Sequence, residues 1–142
     1  MIKLINSELI KMYLYLKFEG TCGIGSDGNS DLDYIIDTSK KTILDTANVQ
    51  ALILDFTGLN YTFGNRFIKI FEPNVFKNNS NVFVSIIIDK SNLEHWKSLI
   101  EFAKLNIDLY GNEKSVFQND LKGAIKSINI RMNKKTNAQH VV

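Results

Sequence analysis

The chain has 142 residues, 44% of them hydrophobic and 11% aromatic, which is enough to close a single hydrophobic core. A formal charge of +2 with only two arginines, Arg66 and Arg131, argues against a nucleic-acid partner. The single cysteine, Cys22, excludes an internal disulfide and a Cys-rich zinc site. The most apolar run, residues 82–88, is strand-sized, and the N-terminus lacks a signal-peptide pattern. We therefore expect a cytoplasmic protein without a membrane span.

The first third of the chain predicts two strands, a loop and a helix. Residues 2–6, and more strongly residues 12–19, have the β-branched and aromatic content of strands. Four glycines then predict a loop over residues 20–29. Ser30, with Asp33 three residues later, resembles a capping box at the start of a helix. Apolar residues at helical spacing continue that helix.

The middle of the chain predicts two buried strands, each followed by a helix. Residues 50–56 and 82–88 are nearly continuous apolar runs, the pattern of strands covered on both faces. Between them, apolar residues at helical spacing predict a helix over residues 63–72. Ser91 and Glu94 are predicted to cap the next helix, which is amphipathic at the same period.

The last third predicts a short strand over residues 106–110 and a final helix over residues 113–128. Residues 131–142 are polar and are expected to form a flexible tail. Strands that alternate with helices of 10 to 15 residues predict a single α/β domain over residues 1–130. We expect one mixed or mostly parallel sheet of about five strands with four helices.

The loop after the second predicted strand carries two weak ligand motifs. Residues 23–28 match GxGxxG, the pattern that lets a backbone approach a pyrophosphate at a helix N-terminus. Asp27, Asp31 and Asp33 crowd that place, and their charge would repel phosphate. The same residues alternate like calcium ligands, but Leu32 stands where a calcium loop needs glycine. We predict no cofactor and no metal, and keep small nucleotide-binding or calcium-binding protein as an alternative.

No pattern in the chain predicts a catalytic residue. Asp55 and Asp89 each end a buried strand, where open α/β sheets place their sites. A receiver domain would need further acidic, hydroxyl and lysine partners that comparable positions lack, so turn and cap roles are favoured. His95 and His140 have no nucleophile or ligand set nearby in sequence, and we expect both at the surface. The prediction is a protein that is not an enzyme.

Residues 51–64 resemble the central signature of STAS domains, the anti-sigma-factor-antagonist fold, in which a buried strand ending in Asp precedes an Asp-Ser-Ser-Gly-type tetrad. Residues 14–20 and 117–128 are similar to the early strand and the last helix of that family. The resemblance implies a STAS-like fold and binding to a kinase or anti-sigma factor. Thr62 could accept phosphate, but Phe63 stands where the family carries its phosphorylatable serine, so the resemblance does not carry over the regulatory switch.

We therefore predict a non-enzymatic protein-binding domain, and two kinds of partner compete. Our first hypothesis is an immunity-type protein that occupies the active site of a cognate secreted bacterial toxin, with acidic residues mimicking the toxin's substrate. The alternative is a STAS-type regulator that binds a kinase or anti-sigma factor. Aromatic and polar loop residues favour protein contacts. The predicted partner-binding residues are Asp27, Asp31, Asp33, Tyr61, Thr62, Asn65 and Arg66.

Overall fold

The computed structural model describes residues 1–22, 26–60, 69–70, 75–76, 82–102 and 111–140. These residues form a single mixed sheet of 5 strands in the order β1-β2-β3-β4-β5, which confirms the predicted α/β class. β1 is antiparallel to β2, and the other neighbours are parallel. The described residues contain three helices, where four were predicted. The elements are β1 (Ile2–Ile10), β2 (Tyr13–Thr21), α1 (Ser26–Asp45), β3 (Ala51–Asn60), β4 (Phe83–Ile87), α2 (Leu93–Phe102), β5 (Phe117–Gln118) and α3 (Leu121–His140).

The helices lie on both faces of the sheet, so both faces of the central strands are buried. α1 and α2 pack on one face, where the rings of Phe56 and Trp96 stack with centroids 5.8 Å apart. α3 packs on the other face, with Ala124 and Ile128 against Ile53 of β3. Every residue from 51 to 56 is buried. The continuous apolar run of β3 therefore reflects burial on both faces, as the sequence predicted.

β1 and β2 pair as a hairpin, both strands are longer than predicted, and the turn between them requires an unusual backbone angle. Each strand has nine residues, and the turn between them places Lys11 at a φ of 55°. Lys11 therefore lies in the left-handed region that two-residue hairpin turns use. Near the other end of the hairpin, Gly20 has a φ of 132°. A Cβ at Gly20 would lie 2.1 Å from the carbonyl oxygen of Met1, so only glycine fits beside β1.

Two element boundaries were wrong in the first half. α1 begins at Ser26, one turn before the predicted start at Ser30, so the expected loop over residues 20–29 is shorter. The backbone of Asp27 falls in the first turn of α1. β3 continues to Asn60, four residues beyond the strand predicted over residues 50–56, because its end stays paired with β2.

The last third differs most from the prediction. Residues 113–128 were predicted as one helix, but Phe117 and Gln118 form β5 beside β4. α3 starts at Leu121, where the side chain of Asp120 accepts the N–H of Gly123 at 2.7 Å. This is an N-cap contact. α3 then continues to His140, through much of the segment predicted to be a tail. The predicted strand over residues 106–110 lies outside the described residues, as does most of the helix predicted over residues 63–72.

Gly20→Ala tests the contact between β2 and the start of β1. We expect it to lower the free energy of unfolding by about 3 kcal/mol, since both backbone strain and the clash with Met1 oppose a Cβ. Gly111→Ala is the matched control, because Gly111 has a φ of 104° but nothing within 4 Å of a Cβ. Gly111→Ala should lower the free energy of unfolding by about 1 kcal/mol, because only backbone strain opposes the Cβ there. Urea unfolding of both variants measures the difference, and equal losses would contradict the steric contribution.

Candidate interaction surface at the carboxyl edge of the sheet

The carboxyl ends of β2 and β3 lie side by side. Thr21 pairs with Asn60 in the parallel register, and the N–H of Cys22 donates to the carbonyl of Asn60 at 3.1 Å. The segment that leads into α1 and the segment that follows β3 therefore leave the sheet from adjacent points. Open parallel sheets place their binding sites at this edge. The sequence singled out both segments but gave no reason to expect them to be neighbours.

The predicted acidic residues lie on α1, not on a loop. Asp33 is exposed and Asp31 is half-buried, and both belong to the N-terminal half of the helix. The backbone of Asp27 is also helical. Residues two positions apart in a helix point in different directions, so the alternating ligands of a calcium loop are not presented. The helical backbone is therefore incompatible with the loop geometry that the calcium-binding hypothesis requires.

The remaining predicted contacts follow β3 directly. Tyr61, Thr62, Asn65 and Arg66 lie outside the described residues, so their predicted roles stay predictions. Their segment begins at Asn60, the exposed last residue of β3. Tyr61 is thus bonded to a residue at the carboxyl edge.

Asp55 is a buried carboxylate whose acceptor positions are occupied within the fold. Its exposed fraction is 7%, and it lies on the α3 face of β3. One oxygen accepts both the N–H of Thr57, at 3.0 Å, and the hydroxyl of Thr57, at 2.7 Å. The other accepts the hydroxyl of Tyr15 on β2. A buried carboxylate is retained only when its lone pairs are satisfied, and this one is. Asp55 was predicted to end its strand and to act in a turn or cap, but it lies within β3 and its contacts join β3 to β2.

The contact with Asp55 changes the acidity of Tyr15. Burial raises the pKa of the Tyr15 phenol well above its usual value, and the hydrogen bond to Asp55 raises it further. The negative charges of Asp55 and Glu8 act in the same direction. A phenol with this environment stays protonated and donates throughout the physiological range. The pair therefore holds β2 to β3 and does not supply a base.

The turn after β4 ties α2 to the same edge. The carboxylate of Asp89 accepts the hydroxyl of Ser91 at 2.7 Å and the N–H of Asn92 at 3.1 Å. The carbonyl of Asn92 accepts the first helical hydrogen bond, from Trp96, so Asn92 is the N-cap instead of the predicted Ser91. The side chain of Asn92 donates to the carbonyl of Leu59 at 2.9 Å. α2 is thereby fixed to the end of β3.

A groove that the sequence did not predict opens at the carboxyl ends of β4 and β5. Its volume is about 470 Å³, and Ile88, Leu93 and Phe117 form its apolar floor. Asn112 and Asn119 are among its polar lining residues. The groove extends the carboxyl-edge surface away from α1, toward the start of α3.

Cys22 lies at this edge but is sealed from solvent. Its exposed fraction is 2%. Burial raises the pKa of the thiol to about 12, and the negative charge of Asp31 contributes in the same direction. The reactive form of cysteine is the thiolate, which this environment disfavours. Cys22 is therefore a buried thiol that is protonated at neutral pH.

Among the described residues, no group of three or more His, Cys, Asp or Glu side chains is arranged to hold a metal ion. His95 is exposed on α2, as predicted. Within the same part of the chain, no helix combines the length and the apolarity needed to traverse a lipid bilayer.

The fold is similar to that of a solved regulatory protein. The crystal structure of an anti-sigma factor antagonist from Mycobacterium paratuberculosis matches 91% of this chain and 95% of its own, with a TM-score of 0.55 and 13% sequence identity. At that identity the likeness concerns the fold, and it confirms the predicted STAS-like architecture. Comparison of the sequence with family models gives no match, and comparison with curated proteins gives none.

Asp55→Asn tests the link between Tyr15 and Asp55. Removing the carboxylate charge should lower the pKa of Tyr15, although burial should keep it above the usual value of about 10. Because the folded-state pKa is raised, the stabilisation is complete below about pH 10 and is lost as pH rises through the folded-state value. Ultraviolet titration of tyrosinate, with Tyr15→Phe as the control that removes the signal, measures the shift. An unchanged titration in Asp55→Asn would contradict the link.

Cys22 provides a test of burial at the carboxyl edge. Iodoacetamide at pH 8 should modify the native chain at least about a hundredfold more slowly than the chain in denaturant, because burial and the raised pKa both suppress the thiolate. Mass spectrometry of timed samples measures both rates. Equal rates would show that the end of β2 opens readily to solvent.

Proposed function

We propose that this chain is a non-enzymatic protein-binding domain that acts as a STAS-type regulator of a partner kinase or anti-sigma factor in the cytoplasm. The observation that carries the proposal is the likeness, over 91% of the chain, to a protein described as an anti-sigma factor antagonist. This observation favours the STAS-type alternative over the immunity-type hypothesis. The hypothesis of a toxin partner gains no support from the comparisons.

The proposed contact surface combines the N-terminal half of α1 with the segment that follows β3. Asp33 is exposed on α1, and the half-buried Asp31 lies two positions earlier and points in a different direction. Tyr61, Thr62, Asn65 and Arg66 are proposed contacts because their segment starts where Asn60 pairs with Thr21. Acidic groups at the edge of a contact surface orient a basic partner and raise its association rate. Aromatic and arginine residues supply the anchoring contacts.

The chemistry of the described side chains supports binding over catalysis. An active site requires a nucleophile or base with free lone pairs, together with an orienting partner. The carboxylate of Asp55 is occupied by Tyr15 and Thr57, and that of Asp89 caps the turn before α2. The thiol of Cys22 is buried and protonated. These groups stabilise the sheet and its connections.

Asp33→Lys tests the acidic part of the surface. A photo-crosslinking residue at position 33 should capture a kinase or anti-sigma factor in the native host, and Asp33→Lys should weaken binding of that purified partner by about tenfold. Asp45→Lys is the matched control, since Asp45 is exposed at the opposite end of α1. It should change the dissociation constant less than about twofold.

Two results of this experiment would count against the proposal. Capture of a secreted toxin at position 33 would restore the immunity-type hypothesis. Equal weakening by Asp33→Lys and Asp45→Lys would show that α1 acts only through its overall charge, and would remove the carboxyl edge as the contact surface. Isothermal titration calorimetry with the captured partner supplies the dissociation constants for both variants.

A further inference from the structure

β1 is the outer strand of the sheet, and its outer edge has a definite hydrogen-bonding pattern. Among the described strands, none lies beyond β1. The N–H of Leu4 points away from β2, because the hydroxyl of Tyr34 on α1 accepts it at 3.0 Å. The pair of Leu4 and Phe18 is thus a non-hydrogen-bonded pair of the ladder. The N-terminal ammonium of Met1 donates to the carbonyl of Thr21, which fits the same alternation.

The alternation identifies the residues whose backbone groups face outward. Ile2 and Leu4 face outward before the bulge that the register shift places at Ile5. Beyond the bulge, Ser7 and Leu9 face outward, since they pair with Leu16 and Leu14 two positions apart on the same side of β2. The side chains of all four outward residues point toward the α1 face.

We propose that β1 pairs with β1 of a second copy of the chain, antiparallel, about a two-fold axis that passes between Ile5 and Asn6. In this register Leu4 lies opposite Ser7 of the second copy, and Ile2 lies opposite Leu9 of the second copy. Each of these residues faces outward, so each pair exchanges two backbone hydrogen bonds. The two sheets become one continuous sheet of ten strands.

The side-chain charges of β1 are self-complementary in this register. Lys3 lies opposite Glu8 of the second copy, and the axis repeats the pair, which gives two cross-strand ion pairs. Lys3 pairs with Glu19 and Glu8 with Tyr15 within the chain, which places both on the face opposite α1. Both side chains are exposed and have no ion-pair partner among the described residues. No other charged residue lies in β1.

The apolar side chains of β1 and its bulge also favour a second copy as the occupant. Leu9 is 47% exposed, and pairing would place it against the Ile2 side of the second copy. The extra residue at Ile5 would disturb pairing with a regular strand. In the two-fold arrangement the bulge of one copy lies opposite the bulge of the other. Both strands therefore have two residues between Leu4 and Ser7. A strand of another protein would need a matching bulge.

The hydroxyl of Tyr34 competes with this pairing. In the single chain it accepts the N–H of Leu4, and in the pair the carbonyl of Ser7 from the second copy takes its place. Tyr34→Phe frees that donor without altering β1. It should therefore lower the dissociation constant of the dimer, by about threefold or more, because the competing hydrogen bond is lost.

Charge reversal at the two ends of β1 tests the register. Sedimentation velocity over a range of concentrations should show a monomer–dimer equilibrium for the natural sequence. Lys3→Glu or Glu8→Lys alone creates two like-charged pairs and should raise the dissociation constant about tenfold or more. An equimolar mixture of the two variants restores opposite charges in both pairs and should form a heterodimer. Lys11→Glu is the matched control, since Lys11 lies in the turn outside the paired residues.

Ser7→Pro tests the backbone pairing independently. The N–H of Ser7 faces outward, so proline removes a donor to the second copy but none to β2. The variant should melt near the natural chain by circular dichroism yet remain monomeric. Three results would overturn the proposal: a natural chain that stays monomeric at all concentrations, a mixture of the charge variants that does not associate, or a Ser7→Pro dimer of unchanged affinity. Each is separable from the partner binding measured with Asp33→Lys.

Discussion

The parallel hydrogen-bonded ladder between β2 and β3 positions the rest of the molecule. A parallel pair needs a connection that crosses the sheet, and α1 provides it. Because β3 is buried on both faces, α1 and α2 must cover one side while α3 covers the other. The order of the strands then brings the end of β2, the end of β3 and the start of α2 to one edge. The candidate surface is a consequence of this ladder.

The ladder contains one β-bulge, and polar groups stabilise it. The register shifts between Lys17 and Glu19, so β3 has an extra residue in this region. Asp55 accepts the N–H of Thr57 there, which satisfies a backbone donor that the bulge would otherwise leave unpaired. A Cβ at Gly58 would lie 3.1 Å from the carbonyl oxygen of Phe18, so glycine lets the two strands approach again. The bulge carries β3 onward to the carboxyl edge.

The sequence predicted those parts of the fold in which one physical signal dominates. The continuous apolar run of β3 and the amphipathic period of α2 were sufficient, because burial controls both patterns. The last third was mispredicted because Phe117 and Leu121 fit a helical stripe as well as a two-residue strand followed by a helix. The signal that separates them is Asp120, whose capping role depends on the geometry of the turn.

The candidate surface could be predicted only in part. Glycines and acidic residues marked residues 20–33, which include the start of α1, and the resemblance marked residues 51–64, which include β3 and continue past its end. Their proximity depends on a register between strands that are distant in the chain, which no local pattern specifies. The groove beside Phe117 depends on the same long-range pairing, since its floor comes from β4, β5 and α2.

Packing on the α3 face joins the two ends of the chain. The hydroxyl of Tyr13, at the start of β2, donates to the side chain of Asn129 on α3, and 116 positions separate the two residues. The hairpin is local in sequence, but its α3 face stays uncovered until α3 has formed. During translation the first strands are therefore the ones whose α3 face is exposed for the longest time. Until α3 forms, the apolar side chains of this face, Tyr13 and Ile53 among them, remain exposed to solvent.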